Sequence, residues 1–272
     1  MLFLKINYNI KVSDNIVLIK DCTIDDIVFA FKVKKVNLDK LINKLYYGFE
    51  SKDNTTTEDR LLNKIYNKEP KLFSEYSDKT DIESYGYFRN INEIIYKSFI
   101  SKQDYEYFIN RLEEYIREKE VNEVYLDLDE KFNILYEKIE RIPFIKISRN
   151  KNSSIGIVSN NRFKENDNIN CNNVLLINID GDFIEIGPLI HTYKFKIPQI
   201  NFEENFNKTT LMQNEIDLIS FFLEKVIFFT IFNLLDKTRE NHYIPNRFKL
   251  RFNRINLMLE TEDIKLIPKN LN

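Results

Sequence analysis

The strongest constraint on the fold is a change of pattern in the first part of the sequence, where β-type runs give way to helical spacing. Apolar residues cluster at 10–12 and again at 16–19, on either side of the turn-forming sequence Ser-Asp-Asn at 13–15. A third stretch, residues 27–33, is rich in β-branched and aromatic side chains. These stretches predict a three-stranded antiparallel meander.

Helical spacing follows the meander. Asn37 precedes apolar residues that recur three and four positions apart, and Gly48 stands where such a helix would end. A polar loop then leads to a second helix at residues 58–66, which Thr55 or Thr56 would cap. The sequence therefore predicts two short helices after the three strands.

Pro70 closes this part of the chain, and the sequence Ser-Asp-Lys-Thr at 77–80 is predicted to be a linker. Three strands followed by two or three short helices is a winged-helix-like order. We therefore predict an α+β N-terminal domain at residues 1–78. A generic small α+β domain would show the same order, and that alternative stays open.

The remainder alternates between helix and strand, which indicates an α/β domain with a mixed sheet at residues 85–272. The sequence Asp180-Gly181-Asp182 is typical of a hairpin turn. The predicted elements are helices at 103–119 and 129–139, strands at 121–128, 143–147, 155–159, 174–179 and 183–186, a polar loop at 162–173, and a terminal hairpin of 250–259 with 264–267.

The most apolar stretch runs from Ile216 to Leu235. Asp217, Glu224 and Lys225 interrupt it, so that Val226–Leu235 is its longest uncharged run. About ten residues of helix span ~15 Å, half of a ~30 Å hydrocarbon core. We expect no membrane span here. The stretch predicts a helix buried nearly all round or one at a subunit interface, and the second alternative would make a homodimer through Ile216–Leu235.

Charge and targeting signals point to a cytoplasmic protein. Lysine and arginine number 40 against 42 acidic residues, a formal net charge of −2, so there is no global attraction to nucleic acid or to an anionic membrane. The N-terminal sequence MLFLKINYNIKVSDN has neither signal-peptide architecture nor a small-residue cleavage site.

Nucleotide and metal cofactors are not expected. Phosphate loops need closely spaced glycines, whereas no two of the five glycines lie within five residues of each other. A structural zinc site needs about four cysteine or histidine ligands in close pairs. His191 and His242 are the only histidines, and Cys22 and Cys171 are far apart, so we predict reduced thiols and no metal.

Residue types for catalysis are also sparse. Neither cysteine has a neighbouring histidine that would lower its pKa, and the nucleophile-elbow sequence G-x-S-x-G does not occur. The acidic run from Asp127 to Glu130 at a predicted strand end could hold magnesium. An aspartate-rich turn between strand and helix explains the same run.

Peptide binding is the alternative that the residues support. The third predicted strand would lie at a sheet edge, where an extended peptide can add as a further strand. The second helix would form the far wall of the groove. The predicted binding residues are Ile27, Val28, Phe29, Ala30, Phe31, Lys32 and Val33 of the strand and Glu58, Arg60, Asn63 and Lys64 of the helix.

Residues 5–75 resemble the RiPP recognition element, a PqqD-like winged-helix domain that captures leader peptides in ribosomal natural-product pathways. The resemblance lies in the order IKVSDN, IVLIKDCTIDD and IVFAFKV for three strands, followed by NLDKLINKLYYGF and TTTEDRLLNKIY for the first helices. It implies that the edge strand and the second helix hold a leader peptide.

The sequence DGDFIEIGPLIHTYKFKIP at 180–198 resembles a segment of ThiF-like, ubiquitin-activating-type domains, in which a strand runs through a Gly-Pro-Leu turn. The apolar helix and the closing sequence NRFKLRFNRINLMLETEDIKLIP fit that topology. The family's Cys-x-x-Cys pairs are missing, since residues 199–204 contain no cysteine and the sequence ends about where the second pair would follow. The resemblance implies a degenerate ThiF-like scaffold without metal.

In thiazole/oxazole-modified microcin pathways, such a pair of domains presents the precursor peptide to a YcaO-type cyclodehydratase. The resemblance thus implies a leader-binding subunit in bacteriocin maturation, without catalytic activity of its own and with the cyclodehydratase as partner. Two alternatives stay open. One is a winged-helix DNA-binding regulator, although the predicted helices carry few basic residues for nucleic acid, and the other is a small magnesium-dependent enzyme.

Overall fold

The computed structural model describes residues 1–95, 101–149, 151–159, 169–196, 210–232 and 248–268. Its helices and a seven-stranded mixed sheet confirm the predicted α/β class. Contacts between Cα atoms divide the chain into two compact units, Met1–Lys119 and Glu120–Asn272. The predicted domain boundary between residues 78 and 85, like the winged-helix and ThiF-like character of the two domains, stays a prediction.

The described residues of the first unit form two small sheets and four α-helices. Its elements are β1 Leu2–Leu4, β2 Tyr8–Ser13, β3 Ile16–Asp21, β4 Asp26–Lys32, α1 Leu38–Tyr47, α2 Thr57–Lys68, β5 Phe73–Glu75, α3 Lys79–Ile95 and α4 Lys102–Glu118. Strands β2, β3 and β4 form the predicted antiparallel meander in that order. Asp14 and Asn15 join β2 to β3 with φ angles of 48° and 65°, as the tightest hairpin loops require.

The predicted helix signals act at the positions where α1 and α2 begin and end. The Asn37 side chain accepts a backbone N–H in the first turn of α1. Thr56 and Asp59 form a reciprocal capping box at the start of α2. Gly48 follows α1 with φ 103°, and a Cβ at this position would lie 2.7 Å from the Phe3 ring. Only glycine fits there, because both the backbone angle and the space exclude a side chain.

The predicted linker at 77–80 differs from the structure, since α3 begins at Lys79. The Asp78 carboxylate accepts the backbone N–H of Thr80 at 2.7 Å, which stabilises the first turn. Further along α3, Tyr85 and Phe88 are fully buried. The burial of these side chains holds the helix in a region where the sequence predicted only a connection.

Arg89 of α3 is buried together with its charge. Its guanidinium donates to the backbone carbonyl oxygens of Lys5 at 2.7 Å and Tyr8 at 3.1 Å, and it stacks on the Tyr46 ring at 4.4 Å. Asn92 donates to the carbonyl oxygen of Ile6 at 3.0 Å. These bonds satisfy the polar backbone between β1 and β2, so α3 fixes the start of the meander.

The second unit is built around a seven-stranded sheet. Its elements are β6 Asn122–Asp127, α5 Ile134–Glu140, β7 Ile145–Ser148, β8 Ile155–Ser159, β9 Asn173–Asp180, β10 Phe183–His191, β11 Phe195–Lys196, α6 Gln213–Ile231, β12 Phe248–Asn253, β13 Leu259–Asp263 and β14 Ile267–Pro268. The strand order in the sheet is β7-β6-β8-β9-β10-β12-β13. The strands from β7 to β9 in this order run parallel to one another, and those from β9 to β13 pair antiparallel.

The centre of this sheet is covered on both faces. Every residue of β8 is buried, and so are residues 174–178 of β9. Successive side chains of a strand point to opposite faces, so continuous burial means that neither face meets solvent. The apolar runs at 155–159 and 174–179 form strands, as predicted, and the structure places both strands inside the sheet. The predicted helix at 129–139 is shorter in the structure, since a 3-10 turn at Glu130–Phe132 precedes α5.

The apolar stretch forms α6, whose residues from Lys225 to Phe229 are all buried within the single chain. This is the first of the two predicted alternatives. The homodimer stays a prediction, and residues 233–235 of the stretch lie outside the described residues. No described helix is both long enough and apolar enough to span a bilayer.

The terminal hairpin has a different register from the predicted one. β12 ends at Asn253, and its partner β13 is Leu259–Asp263. The side-chain oxygen of Asn253 accepts the backbone N–H groups of Ile255 at 2.9 Å and Asn256 at 3.2 Å. Asparagine side chains that bond the backbone in this way initiate turns. The strand therefore stops at Asn253, inside the predicted strand 250–259.

Candidate peptide-binding edge

β4 is an edge strand. It pairs with β3 on one side, and no other described strand lies on its second side. Ile27 is 55% exposed and Val28 is 38% exposed, so the apolar side chains at the start of β4 face solvent. The structure thus places the third strand of the meander at an edge, where the sequence predicted it.

The hydrogen-bonding groups of β4 alternate between its two sides. Val33 donates its backbone N–H to the carbonyl oxygen of Asn15 in the direction of β3, at 2.7 Å. In an antiparallel pair, alternate residues bond the same neighbour. Phe31 therefore also points its backbone groups at β3, whereas those of Ala30 and Lys32 point away from it. These two residues carry the open donors and acceptors of the edge.

The side chains of Phe29 and Phe31 lie on the face of β4 that packs against the core of the first unit. Their ring centroids are 5.9 Å apart, and both rings are half-buried. The ammonium group of Lys68, at the end of α2, lies 5.4 Å from the Phe29 ring centroid. Lys64 is exposed one turn earlier on the same side of α2. We call these four side chains the β4–α2 surface.

Three of the four helix residues predicted to bind peptide make hydrogen bonds within the first unit. Arg60 donates to the carbonyl oxygen of Asn54 at 3.0 Å, and Asn63 donates to that of Asp53 at 2.5 Å. Glu58 accepts the backbone N–H that precedes α1, at 2.8 Å, and this bond lowers the pKa of its carboxyl group. The bonds of Arg60 and Asn63 hold the loop before α2, and that of Glu58 holds the start of α1. The binding role of the three residues stays a prediction.

α1 and α2 are joined by a buried ion pair that the sequence analysis missed. Lys44 of α1 hydrogen-bonds to Asp59 of α2, whose side chain is 2% exposed. Burial raises the pKa of Asp59, but hydrogen bonds from Lys44 and Thr56 outweigh burial and lower it overall. The carboxylate is therefore charged and fully bonded, and it fixes the start of α2 beside α1.

The acidic run from Asp127 to Glu130 lies at the end of β6. The Tyr125 hydroxyl donates to Asp127 at 3.2 Å, and the Ser159 hydroxyl accepts the backbone N–H of Asp129 at 2.9 Å. β7 and β8 flank β6 on opposite sides, which makes this end of the sheet the usual ligand crevice of an open α/β fold. Within the described ranges, no three His, Cys, Asp or Glu side chains are grouped so as to hold a metal.

Cys171 and His191 make hydrogen bonds within the second unit. Cys171 is buried and donates to the carbonyl oxygen of Lys151 at 3.3 Å, and burial raises the pKa of its thiol to about 11. Neither Cys22 nor Cys171 forms a disulfide. His191 and the Asn173 side chain share a hydrogen bond of 2.6 Å. His242 lies outside the described residues.

Two buried carboxylates organise the antiparallel half of the second unit. Glu185 of β10 is 2% exposed and lies 2.7 Å from Lys249 and 3.0 Å from Arg251, both on β12. Glu215 of α6 is fully buried and is held by Arg254 at 2.6 Å. Sequence spacing could not have paired these residues, because strand pairing brings Glu185 to β12 and the position of α6 brings Glu215 to Arg254. Each buried acid is neutralised within its own unit.

Comparison with known proteins gives solved structures only. No family model matches the chain, and no curated protein sequence matches it either. A heterocyclase in complex with substrate and cofactor is 11% identical with a TM-score of 0.44, over 97% of this chain and 38% of its own. PaaA is 13% identical with a TM-score of 0.42, over 97% of this chain and all of its own.

MccB of E. coli, in complex with succinimide, is 10% identical with a TM-score of 0.40, over 97% of this chain and 96% of its own. The chain spans only 38% and 41% of the two heterocyclases that it matches.

Proposed function

We propose that this protein binds an extended segment of a ribosomal precursor peptide, its leader region, as an added strand on β4. The open edge is the observation that carries the proposal. Ala30 and Lys32 turn their backbone N–H and C=O groups away from β3, and an extended peptide can pair with them through its own backbone. Such pairing supplies affinity and register without a dedicated pocket.

Side chains beside the edge would supply selectivity. An added strand continues the alternation of the sheet, so every second side chain of the peptide would lie over Phe29 and Phe31 on the side of α2. These rings are half-buried and can take up further apolar contact. The remaining peptide side chains would lie on the outer face, beside the exposed Val28.

The wider role follows from the family resemblance of the sequence. In this proposal the bound leader is presented to a YcaO-type cyclodehydratase, which forms thiazoline or oxazoline rings in bacteriocin maturation. The chemical step belongs to that partner. The present chain contributes the peptide-binding edge of the first unit and the seven-stranded sheet of the second unit.

The decisive experiment removes one backbone N–H from the open edge. Ala30→Pro deletes the donor that points away from β3 and leaves the bonds of Phe29 and Phe31 to β3 in place. Ala30→Val is the matched control, because it keeps the N–H and favours a strand. The ligand source is a phage-displayed library of random peptides about twelve residues long, selected on the wild-type protein.

The selected peptides are then measured against both variants by fluorescence anisotropy. We expect Ala30→Pro to weaken binding at least about fivefold, since a lost hydrogen bond with an unsatisfied partner costs about 1 to 3 kcal/mol. Ala30→Val should bind like the wild type. A library that yields no enriched peptide, or peptides that bind Ala30→Pro unchanged, would sink the proposal.

Phe31→Asp tests the side-chain part of the same site. A carboxylate at this half-buried position should abolish peptide binding by disturbing the face of β4 that packs on the core. Circular dichroism and the thermal midpoint show whether the fold survives the change. Phe31→Leu is the control, because it keeps an apolar side chain and should retain most of the affinity. A Phe31→Asp variant that binds peptide with the affinity of the wild type would exclude the β4–α2 surface as the binding site.

A further inference from the structure

We infer that the peptide accepted by β4 is acidic, with carboxylate side chains on both sides of the added strand. This inference rests on the proposed function and specifies its substrate class. It is carried by the lysines that surround the open edge, by the absence of ion pairs between them and any described carboxylate, and by the bonds that the carboxylates near Lys64 and Lys68 make elsewhere.

The lysines lie on both sides of the edge. Lys64 and Lys68 are exposed on α2, and the Lys68 ammonium lies 5.4 Å from the ring of Phe29. Lys32 is exposed on β4 itself, on the face opposite to the two phenylalanines. Lys34 and Lys35 follow directly after the strand and are also exposed. No ion pair with a described carboxylate involves any of these five lysines, which leaves their charges for a ligand.

Three acidic residues near Lys64 and Lys68 in sequence are already engaged. Asp59 bonds to Lys44, Glu69 lies 3.5 Å from Lys71, and Glu58 accepts a backbone N–H. The first residues of β4 carry the opposite charge, since Asp26 begins the strand. β4 therefore starts with an acidic residue and ends with a basic one. Because Lys34 and Lys35 follow it, most of the charged side chains along the edge are positive.

This pattern specifies the ligand beyond its backbone. A peptide strand that places an apolar side chain over Phe29 and Phe31 would place a neighbouring acidic side chain within reach of Lys64 or Lys68. An acidic side chain of the alternate set would lie beside Lys32. The chemistry is that of an extended peptide in which Asp or Glu alternate with large apolar residues. Since the lysines are exposed, they act mainly on association and on its salt dependence.

The experiment uses the same random peptide library and compares three forms of the full-length protein. They are the wild type, the charge reversal Lys64→Glu/Lys68→Glu, and the control Lys146→Glu/Lys265→Glu. The control makes the same change in net charge at two exposed lysines of the second unit. Sequencing the selected pools gives the enrichment of Asp and Glu over the input library.

We expect Asp and Glu to be enriched on the wild type and on the control, and Lys and Arg to replace them on Lys64→Glu/Lys68→Glu. Raising the salt concentration from about 0.05 to about 0.5 M should weaken wild-type binding of an acidic peptide several-fold, since screening shortens the Debye length to a few ångström. The same rise should weaken binding to the Lys64→Gln/Lys68→Gln variant less than binding to the wild type, because only Lys32, Lys34 and Lys35 remain charged at the edge.

The failures are distinguishable. Pools without acidic bias, whose binding Ala30→Pro still abolishes, would overturn the acidic ligand and leave strand addition standing. Pools that never enrich would overturn the proposed function together with this inference. A twelve-nucleotide single-stranded DNA that displaces the peptide at similar concentration would show that the lysines serve phosphates, and would also overturn the inference.

Discussion

β4 in the first unit and β13 in the second are both edge strands, and they differ in charge. β13 exposes all five of its residues, three of which are acidic at Glu260, Glu262 and Asp263. β4 has no charged residue between Asp26 and Lys32, and its apolar side chains are partly exposed. Charged edges resist strand addition, whereas uncharged β-branched edges permit it. The difference favours β4 as the edge that accepts a peptide.

The two sheets also differ in how far their strands are buried. The central strands β8 and β9 are buried on both faces, whereas β4 is covered on one face only. A strand inside a two-faced core contributes to stability through packing, and an open strand contributes less but can bind. The comparison suggests that mutations in the two sheets should separate stability from binding.

The largest expected effect is on the inner sheet. Ile157→Ala in β8 removes a fully buried side chain and should lower the free energy of unfolding by about 2 to 5 kcal/mol. Val28→Ala in β4 is the control and should change it by less than about 0.5 kcal/mol, because this side chain is partly exposed. Urea unfolding followed by circular dichroism measures both. Similar losses in the two variants would break the contrast between the sheets.

The next effect concerns two glycines, one at the end of α1 and one within α3. Gly48→Ala must adopt a φ of 103° and meet the Phe3 ring at 2.7 Å, and we expect a loss of about 1 to 3 kcal/mol. Gly86→Ala lies in α3 with no atom within 4 Å of the added methyl group. It should stabilise the protein by about 0.5 to 1 kcal/mol. Thermal unfolding should therefore move in opposite directions for the two variants.

A third prediction concerns pH. The pKa of Asp59 is lower in the folded protein than in the unfolded chain, so its charge stabilises the fold above about pH 4 and ceases to do so as the pH falls through the folded value. Asp59→Asn should cost about 1 to 3 kcal/mol at neutral pH, the range for hydrogen bonds to charged groups. The difference from the wild type should shrink near pH 3. A difference that is independent of pH would contradict this account.

The smallest effect is expected when an acidic residue like those of β13 is placed on β4. Val28→Glu gives β4 the kind of side chain that lines β13, and Val28→Lys is its matched control. Neither change should alter stability by more than about 0.5 kcal/mol, since the position is exposed. Peptide affinity should fall about threefold to tenfold in the glutamate variant, in line with like-charge contacts at a strand edge, and stay level in the lysine variant. Anisotropy with one selected peptide decides the matter.

Much of the first unit follows from local rules. The turn at Asp14 and Asn15, the caps at Asn37 and Thr56, and the glycine at position 48 each act on their immediate neighbours. Short-range hydrogen bonds and backbone angles decide such features, so the sequence predicts them with the right positions. The three strands and the edge position of β4 are confirmed for the same reason.

Contacts between distant residues could not be predicted in this way. β1 pairs with β5 across about seventy residues of chain, and α3 replaces a predicted linker because Tyr85 and Arg89 find buried partners at the N-terminus. The bonds of Arg60 and Asn63 to the loop before α2 depend equally on the fold. A polar side chain on a helix has no sequence signal that separates binding a peptide from binding its own loop.

What the sequence by itself determined is the α/β class, the order of strands and helices, and the residues of β4, because hydrophobic period and turn chemistry are local properties. Only the tertiary structure decided which lysines beside β4 have no ion pair with a described carboxylate, and which carboxylates bond to partners within their own unit. Those outcomes depend on packing and strand pairing over long separations in the chain, where burial and electrostatics of the whole unit select one arrangement.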